Sequence, residues 1–490
     1  MATDTLSLAE FLPDQAPITG AGSPNIVNAR PIQGGYRPFN ALATQTDALT
    51  ARCQGFIAAI DDAGSVYNIA GHGTQLRRRN GSAWTDISSG TYATASDSRW
   101  EFVKWGNQII ASNYVDAMQV ATIGSGSFAA LGGSPPKAKY ITTMGKQDQF
   151  LVAGYLDVSG TAFPQRVRWP GIGTTTSWTV SAATQADQQD LSNCSEIRGL
   201  AGFDYLTVLT DRGIWRGDYV GPPTIIDFSE VEKGRGCAFP GVFGTWGRLV
   251  LFLWEDGFYV FDGSGVTPIG AEKVNRFFFN DADLGYTDRI RIVPDPANSE
   301  FIIAYPGAGS ASGAINHALI WNWTLNRWSY AEFDATFVAL GISVGYTLEG
   351  LTAVSSSLDA LPFSLDSRNW QGGRPSLVAF DADHKLGAFS GSALAATFDT
   401  VEKQPSSGQR SLISGVRPLV DGNGTTVAAA LLHRARLNVN PTTEMELTAD
   451  SDGLVTTLVD DRFHRVRIKT YGDFEAALGA QISFSPTGTF

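Results

Sequence analysis

Short apolar runs alternate with turn residues along this chain, and one phrase of that pattern keeps returning. An apolar strand meets an Asp/Gly turn and an aromatic-rich strand follows. Examples are Tyr205-Leu-Thr-Val-Leu-Thr-Asp-Arg-Gly-Ile-Trp215 and Leu249-Val-Leu-Phe-Leu-Trp-Glu-Asp-Gly-Phe-Tyr-Val-Phe261. Each copy predicts a β-hairpin, because β-formers flank a turn whose Gly accepts positive φ. First strands begin near Gln54, Gln108, Gln149, Tyr205, Leu249, Phe301 and Gly350, a recurrence of roughly 50 residues. The last copy is the weakest, with Ser376-Leu-Val-Ala-Phe-Asp381 as its second half. One hairpin cannot bury its own apolar face, so the copies are expected to share a core. Trp84, Trp178 and Trp328 lie in phrases that read as outer strands. Aromatics there fill the gaps that widen between propeller blades with radius. The predicted fold is all-β: a β-propeller of six to eight blades, seven favoured, over residues 51–390. A set of β-sandwiches is the alternative.

The flanks read differently. Residues 1–50 are rich in Pro and Gly and carry no visible strand pair, which predicts an extended N-terminal arm. Asn25-Ile-Val-Asn-Ala-Arg-Pro and Gly35-Tyr-Arg-Pro-Phe39 supply apolar and aromatic residues with which such an arm can dock. Residues 391–490 alternate basic and apolar positions, as in His464-Arg-Val-Arg-Ile-Lys, and predict a separate small C-terminal β-domain. Phe474-Glu-Ala-Ala-Leu predicts a single helical turn.

Composition supports strands over helices: 53 of 490 residues are Gly, 11% are aromatic and 17% charged. The net charge of −12 is spread along the chain, which argues against a protein that grips nucleic acid by neutralising phosphates. Three widely spaced cysteines form no CxxC pair and suggest folding in a reducing compartment. The N-terminus lacks the basic and apolar regions of a secretory signal.

Signatures of catalysis are scarce. The five histidines are scattered, and neither HExxH, a phosphate loop nor a Gly-x-Ser-x-Gly elbow occurs. Asp61, Asp62, Asp211, Glu255, Asp256 and Asp262 fall in or beside hairpin turns, where Asp caps backbone N–H groups. The expectation is a protein without catalytic residues, metal or cofactor. Residues put forward for partner contact are Tyr36, Arg37 and Phe39 in the arm, the run Arg77, Arg78 and Arg79, and Arg465 and Arg467 in the C-terminal region. For the basic ones a solvated strand edge is the plainer reading.

Several phrases together resemble the tail nozzle and packaged-DNA-stabilisation (tail hub) proteins of short-tailed bacteriophages. They are Trp84-Thr-Asp-Ile-Ser with Trp100-Glu-Phe-Val-Lys-Trp-Gly-Asn-Gln-Ile-Ile-Ala, Thr210-Asp-Arg-Gly-Ile-Trp-Arg-Gly, Glu255-Asp-Gly-Phe-Tyr-Val-Phe-Asp-Gly with Pro268-Ile-Gly, and Ala318-Leu-Ile-Trp-Asn-Trp with Arg327-Trp-Ser. Asn25-Ile-Val-Asn-Ala, Gly35-Tyr-Arg-Pro-Phe and His464-Arg-Val-Arg-Ile extend the resemblance to both ends. It implies a structural virion protein, assembled in host cytoplasm, that forms a ring, usually of six copies. Such a ring sits below the portal and head–tail adaptor, extends the DNA channel, retains the packaged genome and holds tail fibres or spikes. No catalytic residue accompanies the resemblance. The competing expectation is a propeller that binds or cleaves host-surface glycans; a cytosolic kelch-like scaffold is a third.

Overall fold

The recurring phrases form antiparallel meanders. A computed structural model describes residues 2–19, 22–124, 126–343, 357 and 373–489. In it six four-stranded sheets stand alone in the hydrogen-bond pattern. A further meander, Arg291–Asp295, Glu300–Tyr305, Ile315–Asn322 and Arg327–Ala335, opens a ten-stranded sheet. The first strands of the successive meanders are Gly55–Ile60, Glu101–Trp105, Lys137–Met144, Ile197–Gly202, Phe243–Trp246, Arg291–Asp295 and Phe337–Ile342. Apolar clusters lie between consecutive meanders, and one of them packs Phe337, Val378 and Phe380 of the last against Phe56, Ala70 and Trp84 of the first. The order closes on itself, and the result is a propeller-like all-β fold.

Most of the phrases visible in the sequence are the second and third strands of a meander, such as Leu206–Thr210 and Gly213–Gly221. These strands are flanked on both sides and nearly all apolar. The first copy, Gly55–Ile60 with Val66–Gly71, is instead a first and second strand. The expected strand at Gly350 lies outside the described residues, and Pro375–Phe380 is the second strand of the last meander. First strands escape the pattern because they mix charges with glycines at points of close approach. At Gly244 a Cβ would stand 2.5 Å from the carbonyl oxygen of Ile292 in the neighbouring meander. Gly244→Val is therefore expected to destabilise by about 3 kcal/mol, the upper part of the range for overpacking, measured as a lowered denaturant midpoint with unchanged slope.

Trp84 and Trp328 lie on outer strands, as expected, whereas Trp178 fills its gap from the loop between strands Thr161–Trp169 and Asp187–Asp190. Trp84 donates to Thr46 Oγ1 and the Asp47 carbonyl, 3.3 and 3.1 Å away, between the first and last meanders. Trp178 packs with Val103 and Ile110 of the second meander and Leu151 of the third. Trp328 donates to the Ile269 carbonyl at 3.0 Å and meets the Phe258 ring of the preceding meander.

The N-terminal segment departs from the expected strandless arm. Ala29–Ile32 and Gly35–Pro38 form a hairpin. Two prolines hide it in the sequence, and Gly34 at φ +82° makes its turn. Ala43–Ala48 pairs with Lys385–Ala388 and supplies the outermost strand of the last sheet, so the division at residue 50 cuts through that sheet. Ala2–Ser7 pairs with the final strand Ala476–Thr489. Ile26–Val27 lies between Tyr330 of the ring and strand Ala396–Asp399.

The C-terminal strands build two facing sheets. One holds Gln409–Asp421, Val455–Asp461 and Ala476–Thr489 together with the N-terminal hairpin; the other continues the ten-stranded sheet through Ala396–Asp399, Phe463–Tyr471 and Thr426–Arg434. Ile413, Val416 and Ile482 face Phe398, Leu431 and Val466, and the same apolar cluster runs on to Leu251, Phe258 and Phe301. This region thus shares its core with the ring. Phe474 forms no helical turn; it is buried against the Phe398 ring, and a strand starts at Ala476. The α-helix among the described residues is Asn275–Asp281, which the run Phe277-Phe278-Phe279 disguises as a strand. Asp14 from the N-terminal segment accepts from the Arg276 and Phe277 backbone N–H groups, both at 2.8 Å, and so caps it.

Candidate functional site and interaction surfaces

The residues expected to contact partners separate in the structure. Tyr36 and Phe39 are fully buried, Tyr36 bonding the Ala9 carbonyl and Phe39 stacking on Phe333. They are core residues here, because the hairpin that carries them is sealed under other strands. Arg37 is half-buried and bonds Asn298. Arg467 grips Asp399 with two bonds of 2.7 and 2.9 Å, and Arg465 lies 3.7 Å from the same carboxylate. Both point at a strand partner within the chain. Arg77 bonds Gln75 and the Trp84 carbonyl, and Arg79 bonds Gly81 and Gln45. Arg78 has no hydrogen bond or ion pair among the described residues, so it alone of the run retains a free guanidinium.

The acids of the turns behave as turn residues. Asp61 accepts from the Ala63 and Ser65 N–H groups, and Asp262 from Ser264 and Gly265. Asp211 reaches the N–H groups of Ser195 and Glu196, which holds its carboxyl below the usual range against the opposing effect of burial. One open groove of about 590 Å³ gathers Asp211, Glu230 and Glu255 with Arg198, Lys233 and Trp254. Asp211 pairs with Arg212 at 3.4 Å and Glu230 with Lys233 at 3.8 Å. Among the described residues no group of three His, Cys, Asp or Glu side chains is placed to hold a metal ion.

The first strands begin on this same face of the ring, and their leading residues form its polar mouth. Arg99, ahead of the second meander, donates to the carbonyls of Pro240, Gly241 and Asp288, which lead into the fifth and sixth. Its side chain therefore spans the axis. Arg198 donates in the same region to the Cys237 and Ala238 carbonyls. The axis is bridged at this mouth by the Arg99 guanidinium, bonded to backbone on the far side, while Arg198 ties the fourth meander to the segment leading into the fifth. Arg99 and Arg198 stand singly in the sequence and Arg291 has only Arg289 near it, so no basic run marks them. The signal is their position within two residues of the start of a first strand, which shows only once those strands are located.

Large apolar side chains are exposed at several points of the surface. Met445 and Leu458 are the most exposed, at 76% and 74%, and both belong to the C-terminal region, as do the exposed Leu437 and Val439. Leu458 lies on Val455–Asp461, an edge strand. Val180, Tyr219 and Val220 are exposed on the third and fourth meanders. No helix of the described residues is long and apolar enough to cross a membrane.

No family model and no curated protein matches the chain. Among solved structures, two crystal structures described as the extracellular domain of a one component system and of a hybrid two component system from B. thetaiotaomicron are similar. They have TM-scores of 0.38 and 0.40 and sequence identities of 10% and 12%. Each alignment covers 79% of this chain and 44% of the other. Similarity at that level carries nothing about activity.

Proposed function

We propose that this chain is a structural subunit of a virion tail, a seven-bladed propeller that assembles into a ring, hexameric by its resemblance to tail nozzles. The ring sits below portal and adaptor, retains packaged DNA and conducts it at ejection, and gives fibres or spikes a place to attach. The observation that carries this reading is the exposure of large apolar side chains both in the C-terminal region (Met445, Leu458) and on the third and fourth meanders (Val180, Val220). The C-terminal sheets join the ring at the sixth meander, and the third meander lies about halfway round from it. Unlike apolar surfaces on opposite flanks would suit a heterologous contact, and such contacts make rings when the rotation closes. An exposed Leu such as Leu458 on a free edge strand is what soluble monomers avoid.

The DNA path in this reading runs between copies, because Arg99 bridges the propeller axis itself. An acidic wall, −12 per chain, repels phosphate and lets a duplex slide. Sedimentation of the purified chain across concentration tests assembly. A species of about six protomers is expected; a monomer that persists at ~100 µM with adaptor present contradicts the reading. The second reading, a glycan-binding propeller, rests on Trp254 beside three carboxylates in the groove. Retention of the chain on a glycan array, lost in Trp254→Ala, would favour it.

A further inference from the structure

The mouth of the ring holds an imbalance of charge opposite to that of the whole chain. Arg52, Arg99, Arg289 and Arg291 converge there, and Asp288 and Glu101 are the acids that act on them. Three of the four guanidinium groups are engaged. Arg52 bonds the Cys53 and Ser96 carbonyls, Arg99 bonds backbone across the axis, and Arg289 bonds the Asp288 carboxylate at 2.7 Å. Arg291 is the exception. Its Nε is buried with no hydrogen-bond partner, and its guanidinium lies 4.5 Å over the Phe337 ring. Burial and the neighbouring arginines push its pKa, like that of Arg52, down to about 10.

A cationic group in this position needs a counter-charge. Water could fill the Nε valence but would leave the charge. Between these arginines is a cavity of about 10 Å³, also lined by Asp288, whose carboxylate is bonded to Arg289, and by Ser98 and Thr336. That volume is the space open to a particle's centre, room for one water or one monatomic ion and too little for a tetrahedral oxyanion. We propose that this cavity binds a single small inorganic anion of chloride size, held by Arg291 and its neighbours. The anion completes the mouth: it offsets the charge of the converging arginines and ties the first, second, sixth and last meanders together there.

Thermal unfolding of the full chain in sodium chloride and in sodium gluconate at equal ionic strength tests this. The midpoint is expected to rise with chloride by roughly 2 °C and then only logarithmically, as for a ligand specific to the folded state. Gluconate is too large to enter and should give no such rise. Arg291→Met should lose the chloride response while remaining about as stable in gluconate as the parent, because it removes a buried charge that Glu101 offsets only in part. A second measurement needs no variant: crystals grown in bromide should show an anomalous peak within hydrogen-bond reach of Arg291. Equal responses to the two salts, a chloride response retained in Arg291→Met, or an empty cavity in bromide would each overturn the proposal.

Discussion

Replacing Arg30 with Met is expected to cost about 3–5 kcal/mol of stability, the range for breaking a buried ion pair from one side. Arg30 belongs to the N-terminal hairpin, yet its guanidinium lies 2.7 Å from Asp295 and 2.5 Å from Glu300, both buried in the sixth meander. It also covers the Phe39 ring at 4.6 Å. Removing it strands two carboxylates side by side in the core and loosens the segment that links ring and C-terminal sheets. The effect depends on pH in a defined direction. Burial already raises the Glu300 pKa to about 6, although Arg30 opposes it. A carboxyl with a raised folded pKa favours the folded state below its unfolded value, near 4.5, and that contribution is lost as pH rises through about 6. Without Arg30 the folded pKa climbs further, so the deficit of the variant should widen across this window and beyond. Urea titrations at pH 4.5 and pH 7.5 measure it; a deficit that is equal at both, or under 1 kcal/mol, contradicts the triad's role.

The second large effect is expected in assembly. Met445→Asp together with Leu458→Asp should weaken ring formation at least ~100-fold, because each contact loses roughly 1.5–3 kcal/mol of apolar burial. The loss recurs at every interface around the ring. Both side chains are largely exposed in the single chain, so its own stability should shift by no more than about 0.5 kcal/mol. Sedimentation equilibrium and a urea titration on the same sample separate the two. An intact ring in the double variant would remove the C-terminal sheets from the interface. Loss of the monomer fold would mean that these residues are structural.

What the sequence made legible follows from how each element is held. Strands such as Leu249–Trp254 and Gly257–Phe261 are apolar throughout and stand between two other strands, so local pattern alone identifies them. Trp84 and Trp328 were legible as gap fillers because aromatics of outer strands have few other places to go. The first strands were not, since Glu101 and Lys139 lie among the charged groups of the mouth and Gly244 is dictated by a carbonyl of the next meander. The helix Asn275–Asp281 depends on a cap from Asp14, more than 250 residues away, which no local window contains. The partner contacts suffered most. Tyr36 and Phe39 read as docking residues because their segment looked strandless, and they dock onto the chain itself. Arg465 and Arg467 read as a basic stripe, while Asp399, paired with Arg467 across the strands, is nearly 70 residues upstream.

Negative-stain electron microscopy of the purified chain, alone and mixed with a portal–adaptor complex, tests the central claim most directly. A ring with an open central channel, or ring-shaped density capping the adaptor, is the predicted result, with the propellers arranged around the channel and their own axes closed. Single particles that leave the adaptor bare at every concentration would contradict it.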